Sequence, residues 1–343
     1  MPTLLLPTAT LLQAATTVTS ALPTCTTAIP DKNGHVPPDA CNANYGFYPS
    51  WEDNLAFALA FGITTVLHLA QAVVFKKPFC WVVVMSALWE CACFALRTLG
   101  AKDQQQSMYV TISTLLFLLA PLWLNAFIYM VLARLVHLLH PRQRALGIPA
   151  PRLAKGFVLA DVVSFAVQAA GGAMMANQDG GADKVRLGQH VYMAGVGVQL
   201  AFVLVFVVVA VAFHRDLMRL RRSGKVEGPG GGRMNRWVRP LIWVVYVVLG
   251  LIVIRIIFRL VEFSQGVAST NPILQHEGFQ LYLDALPMLL ALVLLNFVHP
   301  GVVLKGPESS LPSSGFRWGR SAAFEPLATA GASSVELVDR RRF

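Results

Sequence analysis

Long apolar blocks separated by short polar stretches dominate the chain. Seven blocks lie at about 54–75, 79–99, 108–136, 153–175, 190–213, 240–263 and 279–298. A helix needs about 20 mostly apolar residues to cross the hydrocarbon core of a bilayer. Strong alternation with period two is absent, which argues against a transmembrane β-barrel. Because backbone groups must be hydrogen-bonded within the segment, the pattern predicts an all-α polytopic membrane protein, a bundle of seven transmembrane helices.

Lysine and arginine are distributed unevenly between the two sides of the predicted bundle. The 1–2, 3–4 and 5–6 loops and the C-terminal tail hold 20 of them, and the other side holds 4. The positive-inside rule then predicts an extracellular N-terminus and a cytosolic C-terminus. We divide the chain into an extracellular Thr-rich segment (1–50), a seven-helix domain (51–300) and a disordered basic cytosolic tail (301–343). In the first segment, Cys25 and Cys41 are disulfide candidates, with unpaired or independently paired thiols as the alternative.

The composition narrows the functional classes. Apolar residues make up 55% of the chain and charged residues 13%, whereas a soluble domain has about 25% charged residues. The net charge is +10, but a chain so poor in charge lacks the dense basic face that binds nucleic acid. There is no P-loop and no His-Glu-x-x-His zinc motif. We therefore expect no enzyme, no catalytic residues, no metal site and no cofactor.

Charged residues inside the predicted spans are the main functional signal. An unpaired charge at the bilayer centre costs about 2.5–3.5 kcal/mol, so these residues are expected to face the interior, pair, or line a wet cavity. Arg255, Arg259 and Glu262 are spaced by four and three residues, which puts them on one helix face. We expect one polar cluster in the outer half of the bundle, with a purely structural role as buried ion pairs as the alternative. It would contain Glu90, Arg97, Arg255, Arg259, Glu262 and Asp284.

A second polar stripe lies on the fourth span, where Asp161, Ser164 and Gln168 follow one another at helical spacing. Its members Asp161 and Gln168 join the six cluster residues as candidates for substrate binding or translocation. Three further polar residues within the spans are candidates for lining a cavity: His68, Asn125 and Gln199.

Several motifs resemble those of the fungal RTA-like proteins, the lipid-translocating exporter family. They are Tyr-Gly-Phe-Tyr-Pro-Ser at 45–50, Glu90-x-x-Cys93-Phe94-x-x-Arg97, Asp161-x-x-Ser164-Phe165-x-x-Gln168, Arg255-x-x-Phe258-Arg259-x-x-Glu262 and Tyr282-x-Asp284. The second motif departs from the family pattern, which has Gly and Tyr where this chain has Cys93 and Phe94. The match covers about residues 45–301.

The resemblance implies a seven-span membrane protein without ATPase domains, which exports sphingoid long-chain bases, aminosterol-type toxicants or related amphiphiles. It implies the plasma membrane, with internal membranes as the alternative, and membrane lipids or an amphiphilic substrate as partners. If the substrate is a cationic base, Glu90, Glu262 or Asp284 would accept its ammonium group. Two alternatives stay open: a receptor-like sensor of lipids, since fold does not fix function, and porphyrin or haem uptake, which would depend on His68.

Overall fold

The computed structural model describes residues 26–37, 40–176, 181–223, 236–266 and 271–304. Within these ranges seven helical segments are long and apolar enough to cross a membrane. The first six spans are α1 (Trp51–Phe75), α2 (Trp81–Gly100, preceded by a 3-10 turn at Pro78–Cys80), α3 (Ser107–Leu139), α4 (Ala150–Ala176), α5 (Gly181–Arg222) and α6 (Val238–Ser264). The prediction of an all-α, seven-span membrane protein is confirmed. The direction in which the chain crosses the bilayer stays a prediction.

The seventh span, Glu277–Val302, is built from several short pieces. It contains α7 (Glu277–Gln280), a π-helical turn (Leu281–Ala285), α8 (Leu286–Phe297) and a 3-10 turn (Pro300–Val302). Pro287 lies at the start of α8 and has no N–H to continue the regular hydrogen-bond pattern. The widened turn directly before it contains Asp284. Such π-helical turns occur frequently at functional sites.

The helices pack as neighbours along the chain, with α2 between α1 and α3, and with the most extensive contact between α4 and α5. Glycine permits that close approach. A Cβ atom added to Gly188 would lie 2.8 Å from the carbonyl oxygen of Gly171, closer than real Cβ contacts. Small residues have this role at many helix interfaces within membranes.

One face of the bundle, here called the N-terminal face, is closed by the chain that precedes α1. The Gln104 amide N–H donates to the Asn33 carbonyl at 2.9 Å, and Asn44 donates to the Gln104 carbonyl at 3.0 Å. The backbone N–H of Ser50 donates to Glu277 at 2.7 Å, which ties the start of α1 to the start of the seventh span. Residues 26–50 are therefore bonded to both sides of the bundle.

The opposite, C-terminal face carries a short hairpin of β1 (Arg144–Ala145) and β2 (Ile148–Pro149). Its two turn residues, Leu146 and Gly147, have φ of 48° and 79°, the positive values that a type I′ hairpin turn needs. Residues 301 and 302, assigned by the sequence to the tail, belong to the seventh span, and Val303 and Leu304 directly after it are buried.

Three predicted features lie wholly or partly outside the described residues. They are the Thr-rich leader up to residue 25, which includes Cys25, the tail from residue 305, and residues 224–235 of the basic 5–6 loop. The pairing of Cys25 with Cys41 therefore stays a prediction. The remaining cysteines Cys80, Cys91 and Cys93 are free thiols in or next to α2.

Candidate functional site

A continuous ionic and hydrogen-bonded network crosses the interior from α2 to α6 and the seventh span. Arg97 donates to the side-chain oxygen of Gln280 at 2.8 Å, and Gln280 donates to Glu262 at 3.2 Å. Glu262 also accepts from Arg259 at 3.0 Å. All four side chains lie within two turns of a helix end at the N-terminal face.

Deeper in the bundle, Asp284 holds two arginines of α6. Its carboxylate pairs with Arg259 at 2.6 Å through one oxygen and with Arg255 through the other. The Asp284 side chain is fully buried, and the two arginine side chains are 10% and 11% exposed. The i and i+4 spacing of the arginines on α6 is what lets one carboxylate reach both.

The backbone of α3 contributes an acceptor to the same network. Residue 121 is proline, which has no N–H to donate to the carbonyl four residues earlier in the helix. That carbonyl belongs to Phe117, and the guanidinium of Arg255 donates to it at 3.2 Å. Polar groups that a proline leaves unpaired within a membrane must find a partner, and here the partner is a charged residue of the network.

The ring of Phe117 also contacts the three arginines. The guanidinium carbons of Arg97, Arg255 and Arg259 lie 5.5, 5.8 and 5.1 Å from its centroid. Contacts of this kind with an aromatic ring are attractive for a cation, more so when desolvated. Three positive side chains from two helices therefore share one aromatic ring, and two of them, Arg255 and Arg259, also pair with carboxylates.

Glu90 is close to this network but does not join its hydrogen bonds. It is fully buried, and neither carboxylate oxygen has a hydrogen-bond partner in the part of the chain that the structure describes. Although the sequence places Glu90 and Arg97 on nearly the same helix face, the two side chains do not form an ion pair among those found in the described ranges.

A cavity of about 120 Å³ opens beside the network. We call it the guanidinium pocket. Its lining combines two arginines, an amide, two hydroxyls and the shared aromatic ring, contributed by Arg97, Arg259, Gln280, Ser113, Thr114 and Phe117. Thr114 is exposed at the edge, whereas Arg97 is 8% exposed. The pocket thus connects the buried network with the outer surface of α3.

The polar stripe of α4 forms a separate group. Asp161 accepts from Asn125 at 2.9 Å and from the Tyr129 hydroxyl at 3.0 Å, both on α3. Gln168 donates to Gln199 of α5 at 3.0 Å. No described hydrogen bond joins these residues to the network around Asp284. The structure therefore brings Asp161, Asn125, Gln168 and Gln199 together in pairs, away from the guanidinium pocket.

His68 belongs to a third group near the C-terminal face. It is fully buried, and its Nε2 lies 3.1 Å from the Leu292 carbonyl oxygen. Its ring centroid is 6.4 Å from that of His299. Gln71 donates to the Asn296 carbonyl at 2.9 Å on the same pair of helices. These bonds fasten α1 to α8, and they place His68 far along the bundle from the arginines.

Further polar contacts lie at the N-terminal face, next to the network. Asn54 donates to the Glu277 carboxylate at 2.6 Å, beside the bond from Ser50. Burial raises the pKa of the Tyr45 hydroxyl, with Arg97 opposing the shift, so Tyr45 keeps its proton at neutral pH. The carboxylate of Glu277 is therefore engaged by α1 and is not on the lining of the guanidinium pocket.

Sequence reasoning missed several residues of the site. Gln280, which links Arg97 to Glu262, is uncharged and lies at the start of a span, so it gave no signal. Phe117 acts through its ring and its carbonyl oxygen, and only Pro121 four residues later could have indicated it. Ser113 and Thr114 are ordinary residues of an apolar helix by sequence.

Seven apolar helices around a buried ionic network define an integral membrane protein with a charged interior. The chain belongs to the RTA1-like protein family, whose family model matches residues 83–307. The resemblance drawn from the motifs is confirmed.

Relatives of the chain are found in fungi. It is 39% identical to Probable lipid transporter atnI of Emericella nidulans, over 82% of this chain and 73% of that protein. It is 25% identical to Sphingoid long-chain base transporter RSB1 of Saccharomyces cerevisiae, over 80% of this chain and 78% of that protein. It is 32% identical to Protein RTA1 of Saccharomyces cerevisiae, over 62% of each chain. No solved structure matches the chain.

Proposed function

We propose that the protein translocates amphiphilic lipids and lipid-like toxicants across the plasma membrane, with sphingoid long-chain bases among the substrates. The observation that carries the proposal is the buried network of arginines and carboxylates on α2, α6 and the seventh span, which offers a head group partners of either charge. Two relatives are named as lipid transporters, and these names describe transport rather than catalysis. Charges buried within a membrane commonly mark substrate pathways.

The network contains charged side chains with which a polar head group can form ion pairs inside the bundle. Arg259 holds both Glu262 and Asp284, so either carboxylate can be released while the other remains paired. A cationic head group can then take the place of Arg259 at one carboxylate while Arg259 keeps the other, so that no buried charge is left alone, which would be costly. The alkyl chain would remain outside, against the apolar side chains that the spans expose, such as Leu115 and Val261.

The receptor-like and porphyrin alternatives gain no support from the described residues. His68, on which haem binding would depend, is fully buried and bonded to a carbonyl of α8. We therefore retain translocation as the function to be tested.

Reconstitution tests the proposal directly. Purified protein in lipid vesicles should move a labelled long-chain base between leaflets faster than protein-free vesicles do. Arg259→Gln should lower that rate, because it removes the cation that holds two carboxylates. Arg219→Gln is the matched control, since Arg219 is an exposed arginine paired with Asp216 outside the network. Binding of the base without any movement would contradict the proposal.

A further inference from the structure

We propose that the guanidinium pocket binds the phosphate of a lipid head group. This deepens the proposed function and rests on it for the fate of the bound lipid, whereas binding itself is a separate, measurable property.

The charge on the pocket lining is positive. Arg97 and Arg259 line the cavity, and no carboxylate is among the lining side chains of the described residues. Glu262 and Asp284 are held by the α6 arginines. Glu90 is buried away from the lining. A head group that enters the pocket therefore meets cations first, which favours an anion over an ammonium group.

Arg97 has hydrogen-bond donors to spare. A guanidinium carries five N–H donors, and the hydrogen bond described for Arg97 goes to the neutral side chain of Gln280. None of the ion pairs found in the described ranges includes Arg97, although it is only 8% exposed. A buried cation without an anionic partner is costly. Phosphate oxygens match the fork of a guanidinium and would supply that partner.

The cavity also fits a phosphate in size and in its other groups. Its volume is about 120 Å³, which corresponds to roughly four water molecules at about 30 Å³ each. A phosphate presents a similar number of oxygen atoms. The Thr114 hydroxyl at the edge has no hydrogen bond among the described residues, so it can donate to an oxygen of the ligand.

The depth of the pocket indicates a membrane lipid as the source of the phosphate. Arg97 precedes the end of α2 at Gly100 by three residues, or about 4.5 Å of helix. The interfacial layer of a bilayer is about 5–7 Å thick on each side of its hydrocarbon core. Thr114, on the opposite wall, is seven residues from the start of α3 at Ser107, or about 10 Å. We expect these helix ends to lie near the membrane surface, which places the pocket within reach of a lipid head group, and the apolar side chains of Leu118 and Phe263 complete its lining. A free phosphate would gain nothing from them.

The main comparison in the test is between two lipid ligands that differ only in the phosphate, and inorganic phosphate is a third ligand. Purified protein in a maltoside detergent, which contains no phosphate, is titrated with a long-chain base, with the 1-phosphate of the same base, and with inorganic phosphate alone. The wild-type protein should bind the 1-phosphate roughly tenfold to a hundredfold more tightly than the base, as expected for hydrogen bonds to a charged group. Arg97→Gln should abolish this preference, and Arg97→Lys should retain part of it, because lysine keeps the charge but loses the fork. The exposed Arg219→Gln variant should retain all of it.

The outcomes separate this inference from the proposed function. Equal or tighter wild-type binding of the unphosphorylated base overturns the phosphate site, and this comparison needs no folded variant. Inorganic phosphate that binds as tightly as the 1-phosphate overturns the assignment to a lipid. A clear phosphate preference in a protein that moves no lipid in vesicles supports the site and refutes translocation. Lipid movement without any phosphate preference refutes the site and supports translocation.

Discussion

The ion pairs of Asp284 permit a quantitative test of the network. Asp284→Asn keeps the size of the side chain but removes the charge that pairs with Arg255 and Arg259. Removing one partner of a buried ion pair typically destabilises a protein by about 3–5 kcal/mol, because the remaining charge is left uncompensated. Glu262 still pairs with Arg259, so we expect a value near the lower end, about 3 kcal/mol.

The matched control is an ion pair outside the bundle interior. Asp216 and Arg219 lie 3.6 Å apart with side chains 43% and 76% exposed. An exposed pair contributes about 0–1 kcal/mol. Asp216→Asn should therefore change stability by less than about 1 kcal/mol, although it makes the same chemical substitution.

Thermal unfolding in detergent measures both variants. At about 2–4 °C per kcal/mol for a domain of this size, Asp284→Asn should lower the midpoint by roughly 6–12 °C. Combining it with Arg255→Gln should cost less than the sum of the two single changes, by about 0.5–3 kcal/mol, because the residues interact. Equal midpoints for Asp284→Asn and Asp216→Asn, or strictly additive losses in the double variant, would refute the inference that these charges are paired inside the bundle.

Three further substitutions or insertions test other parts of the structure. Pro121→Ala restores a backbone N–H, which competes with Arg255 for the Phe117 carbonyl. Lipid movement in vesicles should fall several-fold, while the unfolding midpoint stays equal or rises. A normal rate of movement would contradict the role of that carbonyl. Gly188→Leu should destabilise the protein by about 1–3 kcal/mol through steric overlap with α4, whereas Gly172→Leu, where an added Cβ meets nothing within 4 Å, should leave the midpoint unchanged. A glycosylation acceptor inserted near residue 30 should be modified and one in the 215–239 loop should not; the reverse pattern would show that the predicted orientation is wrong.

The spans were predictable because the bilayer imposes a length and a polarity on every helix that crosses it. The ends of those helices were less predictable. α5 continues to Arg222, nine residues beyond the apolar block, because its last turns are amphipathic: Leu217 is buried while Arg219 is exposed. Hydropathy indicates where a helix leaves the membrane, but the helix itself can continue beyond that point.

The partners within the network were less predictable than its members. Helical spacing gives the face that a side chain occupies, which is how Arg255, Arg259 and Glu262 could be grouped from sequence. It does not give the residue on the opposite helix. Arg97 shares nearly the same face of α2 with Glu90, yet it reaches across to Gln280 of the seventh span. Partners of that kind depend on helix packing, which a single sequence does not encode locally.

The position of Glu90 makes the distribution of charge along the bundle uneven. Counted together, Arg97, Arg255 and Arg259 balance Glu90, Glu262 and Asp284, so the formal charge of the interior is zero. The balance is not local, because Glu90 lies seven residues before Arg97 on α2, or about 10 Å deeper, and shares no hydrogen bond with the other five among the described residues. Formal positive charge is therefore in excess near the N-terminal face and formal negative charge deeper in the bundle. A phosphate at the pocket and an ammonium group at Glu90 would be bound at separate places, so a head group that carries both groups would occupy the two places in succession and not together.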